Sequence, residues 1–233
     1  MKQVDYQNQI QEVLAHILAI QRNVPLHRLE SKRGYSFSAL PFTEQLAIWD
    51  RLWHTEDNFW IRLHAFFFLE RHCKKEIELK EMWPVIIGWQ DGVDDWGLCD
   101  ALAKIYTKIL VVAPEEVYAQ LQQWNTDESL WKRRQSVVSL LYYSRTKKQH
   151  PTFNQIEALI TPLLADKEYY VQKGVGWALR EWHTVYPVET QAWLKAHIRS
   201  LSSIAFTISI EKLDLPIINE LKALRKPPAK SIN

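Results

Sequence analysis

The sequence predicts an all-α chain built as a solenoid of helical pairs, and three observations predict it. Apolar residues recur with helical periodicity almost everywhere, and no alternating apolar–polar segment of any length appears. Glycine is scarce, at six in 233 residues. Trp60, Trp96, Trp131 and Tyr170 superpose at separations of 36, 35 and 39 residues, and five positions after each stand Ala65, Ala101, Ser136 and Val175. Those are mostly small residues, as needed where helices approach closely. The period matches HEAT and armadillo-like helical-pair repeats. About five or six pairs with a concave binding face, in a single domain over residues 1–224, is the expected architecture.

Taken in order, Val4 to Ile20 reads as a first amphipathic helix, with Ile10, Val13, Leu14, Ile17 and Leu18 on one stripe. Residues 22–41 read as a long connection, and a connection of that length is usually functional or mobile. Thr43 is placed to cap a helix running through Trp53, and Thr55 to Asn58 form a turn. Phe59 to Lys75 is the next helix. A short one, Trp83 to Gln90, has Pro84 in its first turn, where a missing N–H is tolerated. Asp95 to Val112, Pro114 to Trp124, Leu130 to Arg145, Phe153 to Leu164, Tyr169 to Tyr186 and Val188 to Leu201 continue the series. A last helix covers Ile208 to Leu224, and residues 225–233, with Arg225, Lys226, Lys230 and two prolines, read as a basic flexible tail.

Composition narrows the function classes. The chain is 47% apolar and 24% charged, the balance of a soluble globular protein. No apolar run reaches the length that spans a bilayer, so no membrane partner is expected. The N-terminus, Met1 to Tyr6, lacks the plan of a signal peptide, which makes the cytoplasm the expected compartment. Cys73 and Cys99 suggest neither a disulfide framework nor a metal site, and no cofactor is expected. A net charge of +2 is too mild to announce nucleic-acid binding by itself, so the distribution of cations matters more than their sum. Eleven tryptophans exceed what a core of this size calls for, which places some of them on a working surface.

With each repeat numbered from its aromatic residue as zero, Trp96 stands at 0, Asp100 at +4, Arg134 and Lys173 at +3, and Trp177 at +7. Offsets 0, 3, 4 and 7 share one side of an α-helix. Stacked repeats would line these residues into one strip, with a carboxylate among two indoles and several cations. His64, at +4, falls on the same side and reads as a surface or hydrogen-bonded residue without a catalytic role. Trp60 and Trp131 read as core. Gly174 and Gly176, inside a helix, have two readings: tight packing on a neighbouring helix, or close approach of a DNA backbone.

Three segments carry a resemblance. Trp96-Gly97-Leu98-Cys99-Asp100, Leu130-Trp131-Lys132-Arg133-Arg134, and the run from Tyr169 to Trp182 resemble the signature segments of the AlkD-type DNA alkylation-repair proteins, which are HEAT-like-repeat DNA glycosylases. The stretch Val171 to Glu181 is the most specific, and the layout is similar over roughly residues 42–200. The resemblance implies that Asp100 is the catalytic carboxylate, that Trp96 and Trp177 are the active-site indoles, and that Arg134 contacts DNA near the lesion. It implies excision of cationic N-alkylated purines, such as 3-methyladenine and 7-methylguanine, from duplex DNA without the base flipping that most glycosylases use.

The residue types suit that chemistry. A cationic purine leaves without a general acid, and the difficulty lies in the charge that grows on the deoxyribose. A fixed carboxylate such as Asp100 stabilises that charge and can orient the attacking water. Arg134, Arg133, Lys173 and Arg62 would hold phosphates in register without reading sequence. The expected partner is double-stranded DNA carrying alkylated bases, bound by a monomer. A non-catalytic binder of damaged or branched DNA, and a solenoid whose strip binds an acidic peptide, are the alternatives.

Overall fold

The computed structural model describes residues 6–55, 57–142 and 149–226. Among the described residues there are thirteen α-helices and no strand, and no helix is long and apolar enough to cross a membrane. Contacts gather the chain into two compact units, Met1–Ala113 and Pro114–Asn233. The first holds α1 (Gln7–Leu18), α2 (Val24–Glu30), α3 (Phe42–Thr55), α4 (Phe59–His72), α5 (Glu76–Ile86) and α6 (Trp96–Val112). The second holds α7 (Pro114–Asn125), α8 (Leu130–Val138), α9 (Phe153–Ile160), α10 (Tyr169–Val185), α11 (Pro187–His197), α12 (Ser203–Ser209) and α13 (Leu215–Arg225).

Within each unit the helices alternate as the repeat requires. In the first, α3 packs on α4 and α5 on α6, while α4 and α6, which carry Trp60 and Trp96, lie against each other. In the second, α7 packs on α8, and α10 is flanked by α8 and α12. Local chemistry sets the helix starts. Asn58 accepts the N–H groups of Trp60 and Ile61 ahead of α4, and Thr152 and Gln155 form a reciprocal capping box on α9. Tryptophan fills the core, with Trp49, Trp53, Trp89 and Trp182 fully buried. Burying an indole contributes at most roughly 4–6 kcal/mol by area.

Several elements differ from the sequence reading. Residues 22–41 hold a helix, α2, whose start Asn23 caps by accepting the Leu26 N–H at 3.1 Å. After it the chain turns at Gly34, where a φ of +80° suits glycine alone, and buries Tyr35 and Phe37. The helix expected at Trp83 to Gln90 begins earlier: α5 starts at Glu76 and carries Pro84 near its end, followed by a 3-10 turn at Gly88–Gly92. Leu79, Met82, Trp83 and Ile86 form its buried stripe, and that periodicity outweighs the one hydrogen bond a proline removes. The segment read as one helix from Ile208 to Leu224 breaks into α12 and α13, with Pro216 in the first turn of α13. On α1, Ile10, Val13 and Ile17 are buried but Leu18 is exposed.

The helix read as Leu130 to Arg145 also ends sooner: α8 closes at Val138 and residues 139–142 turn away from it. Parts of the reading fall on residues outside the described set: the start of the first helix, residues 143–145 and tail residues 227–233. Arg225 itself belongs to α13, where it donates to the Ile198 carbonyl at 2.7 Å and lies over the Phe206 ring.

Candidate functional site

The first unit fixes where α6 begins. Trp53 of α3 stacks on Trp89 with ring centroids 4.5 Å apart, and its indole N–H donates to the Trp89 carbonyl at 3.1 Å. The Trp89 indole N–H in turn donates to Asp50 at 2.8 Å. These contacts pin the Gly88–Gly92 turn against α3. Asp95 then accepts the Leu98 N–H at 2.7 Å, which stops α6 from starting earlier. Trp96 is therefore the first helical residue, and it is 56% exposed. Asp100 follows one turn later, half-buried. Leu98, Cys99, Leu102, Ala103, Ile105 and Tyr106 turn inward, so the outward ridge of α6 runs Trp96, Asp100, Lys104, Lys108. An indole and a carboxylate on one ridge is the pairing that the Trp96 to Asp100 spacing predicts.

The second unit builds its face on α10. Tyr169 and Tyr170, then Lys173, Trp177 and Arg180, occupy its outward positions, while Val171, Gly174, Val175, Ala178 and Trp182 are buried. Trp177 is half-buried, with its ring 5.2 Å from that of Tyr142. The Lys173 ammonium lies 5.6 Å from the Tyr169 ring centroid and 6.0 Å from that of Tyr170. Both helix glycines serve packing. A Cβ on Gly174 would stand 3.2 Å from Arg134 Cγ of α8, and one on Gly176 would stand 2.8 Å from the Ala205 carbonyl oxygen of α12. Of the two readings open for these glycines, close helix contact is the one the structure shows.

The cations on the expected strip separate into two kinds. Lys173 has an outward place. Arg134 is 6% exposed and donates from Nη1 to the Tyr170 carbonyl at 2.8 Å, tying α8 to α10. Arg133 is clamped by Asp166 at 2.6 Å and by the carbonyls of Asp127 and Glu128, both at 2.8 Å. Arg62 is 9% exposed, paired with Asp57 at 2.9 Å, over the Trp53 ring and beside Gly92. Their seats differ from the exposed phosphate contacts the sequence reading drew, because guanidinium stems four or five bonds long can turn inward to carbonyls and carboxylates.

His64 also departs from the strip. It shares its repeat offset with Asp100 but is wholly buried, since α2 and the turn after it cover α4. Its Nε2 lies 3.0 Å from His27 Nδ1, and its Nδ1 shares a hydrogen bond with the Tyr35 hydroxyl. Burial pushes the His64 pKa down to about 3, with His27, His16 and Arg71 adding to the effect. His27 is shifted down by burial too, and it stacks on the half-buried Trp60 at 4.0 Å. Hydrogen bonding, one of the two roles read for His64, is the role it has. Trp131 is half-buried as well, 5.1 Å from Tyr170. Tyr169, 53% exposed at the start of α10, is a surface residue that the repeat numbering passed over because it precedes offset zero.

Paired helices whose outward ridges carry an indole beside a carboxylate on α6, and an indole beside a lysine on α10, define the class of all-α helical-repeat proteins with aromatic and charged surface ridges. Residues 28–213 match the DNA alkylation repair enzyme family, and the chain belongs to that family. Solved structures share the fold. AlkD2 from Streptococcus mutans is similar at 18% identity and a TM-score of 0.56, over 95% of this chain and 97% of that one. A predicted DNA alkylation repair enzyme from Enterococcus faecalis is similar at 16% identity and a TM-score of 0.68, over 83% and 87%. The smu.31 protein of Streptococcus mutans UA159 is similar at 18% identity and a TM-score of 0.56, over 98% and 100%. No curated protein matches the chain.

Proposed function

We propose that the chain is a monofunctional DNA glycosylase that hydrolyses the N-glycosidic bond of cationic N-alkylated purines in duplex DNA, acting as a cytoplasmic monomer without flipping the base. The observation that carries this reading is the outward Trp96–Asp100 pair on α6, in a member of a DNA alkylation repair family. The positively charged purine leaves with the electron pair of the glycosidic bond and so departs neutral. Positive charge passes to the deoxyribose, water adds to the anomeric carbon, and its proton is lost to Asp100 or to solvent. Asp100 stabilises the sugar cation; removing a comparable preorganised group costs about 3–4 kcal/mol of barrier. The indole faces of Trp96 and Trp177 add roughly 0.5–2 kcal/mol each by cation–π attraction. Lys173 carries phosphate contact on α10, while Arg133 and Arg134 hold the frame of α8 and α10 and Arg62 supports the turn ahead of α6.

The test is release of 7-methylguanine from an alkylated duplex. Wild type releases the base, and Asp100→Asn slows release by about 100- to 1,000-fold while duplex affinity is retained. A wild-type protein that binds duplex but releases nothing refutes the catalytic reading, and an Asp100→Asn variant of undiminished rate refutes the role given to Asp100.

A further inference from the structure

We infer that Tyr169 is a positioning residue for DNA-backbone contact, its exposed ring holding the Lys173 ammonium where a phosphate reaches it. This rests on the reading of the chain as a DNA-binding protein, but not on catalysis. Tyr169 opens α10 and Lys173 stands one turn later on the same side. The ammonium lies over both the Tyr169 and Tyr170 rings. The platform is itself braced: Tyr169 meets Tyr170 edge to face at 5.1 Å, and Tyr170 meets Trp131 of α8 at 5.1 Å.

Two features make this more than a surface contact. The neighbouring cations are each paired with a carboxylate: Lys132 with Asp127 at 3.3 Å, Arg133 with Asp166 at 2.6 Å and Arg180 with Glu211 at 2.6 Å. Lys173 forms no ion pair among the described residues, and its charge is met only by the negative faces of the two rings. A lysine stem that would otherwise sample many rotamers is thus held with its charge outward. Ring faces attract a cation without neutralising it, so the ammonium keeps its full attraction for a phosphate. An exposed tyrosine at a helix start has no core to fill; bracing this lysine gives it a role.

The experiment is duplex affinity by fluorescence anisotropy over a salt series, with unmodified DNA as the probe. Lys173→Met weakens binding several-fold and lowers the slope of log affinity against log salt by about 1, the loss of one phosphate contact. Tyr169→Leu reproduces part of both changes, Tyr169→Phe restores wild-type behaviour by keeping the ring, and the Tyr169→Leu/Lys173→Met double variant binds no worse than Lys173→Met alone. Equal binding by wild type and Tyr169→Leu, losses that multiply in the double variant, or a Tyr169→Phe protein as weak as Tyr169→Leu would each overturn the inference. A wild type that binds with this pattern and releases no alkylated base leaves the inference standing and removes the catalytic reading. A wild type with no duplex affinity removes both.

Discussion

Gly176 of α10 faces Ala205 of α12 so closely that a side-chain carbon on the glycine would lie 2.8 Å from the Ala205 carbonyl oxygen and 2.9 Å from its Cα. The obstacle is backbone, which cannot rotate away. Gly176→Ala therefore forces α10 and α12 apart and lowers stability by about 1–3 kcal/mol. Gly174→Ala meets the flexible Arg134 stem and Val138 at 3.2–3.4 Å and has a smaller effect. Urea unfolding midpoints of the two variants, compared with wild type, check the order; equal midpoints would contradict the packing described.

Asp95 sets the first residue of α6 through its bond to Leu98. Asp95→Ala removes that cap and lowers stability by about 1 kcal/mol, whereas Asp95→Asn, which can still accept the N–H, stays close to wild type. In the base-release assay Asp95→Ala also loses rate beyond its stability change, because Trp96 follows the cap directly. An Ala variant with full stability shows that the helix start is held by other contacts.

The proposed function gives an indole role to each of Trp96 and Trp177. Either tryptophan replaced by alanine slows base release by about 2- to 30-fold, the rate equivalent of roughly 0.5–2 kcal/mol. If both indoles act on one nucleotide, the double variant loses less or more than the product of the single losses. Strict multiplicativity, measured under single-turnover conditions, would separate the two residues into independent roles.

The buried His27–His64 pair makes the first unit sensitive to acid. Its folded pKa values lie below the ordinary histidine value of 6.5, reaching about 3 for His64. The unfolded chain therefore binds more protons as pH falls below about 6.5, and stability present above that pH is lost toward pH 3. Each such group contributes a slope of up to about 1.4 kcal/mol per pH unit. His16, Glu30, Tyr35 and Arg71 surround the pair from α1, α2, the following turn and α4, so wild type is compared with His64→Gln at each pH. Between pH 6.5 and 5 the variant has the flatter curve. Parallel curves would show that the pair is not what titrates.

The repeat and most helices were legible because they are written in local spacing. The start of α6 near Asp95, the start of α10 at Tyr169 and the small residues after each aromatic all sit within a turn or two of the signals that announce them. The segment 22–41 was harder, because seven residues of α2 carry little periodicity and the helix is held mainly by its packing on α4 and by His27. Pro84 misled for a related reason. A proline reads as a helix start when only its own neighbours are weighed, but the stripe from Leu79 to Ile86 draws its stability from burial against other helices. Arg62, Arg133 and Arg134 look alike in sequence as candidates for phosphate. Their partners Asp57, Asp166 and Tyr170 come from other segments and decide which way each guanidinium turns.

The sequence by itself determined that the protein is a series of paired helices and that an indole and a carboxylate stand one turn apart near the start of α6. Backbone geometry makes those two facts follow from residue spacing alone. Only the tertiary structure decided which offsets reach solvent. His64 and Asp100 hold the same place in their repeats, yet α2 and the turn after it seal one beneath His27 and Tyr35, while the other is half-buried beside the exposed Trp96. Exposure is a property of what packs over a helix, and that neighbour is chosen by contacts far away in the chain.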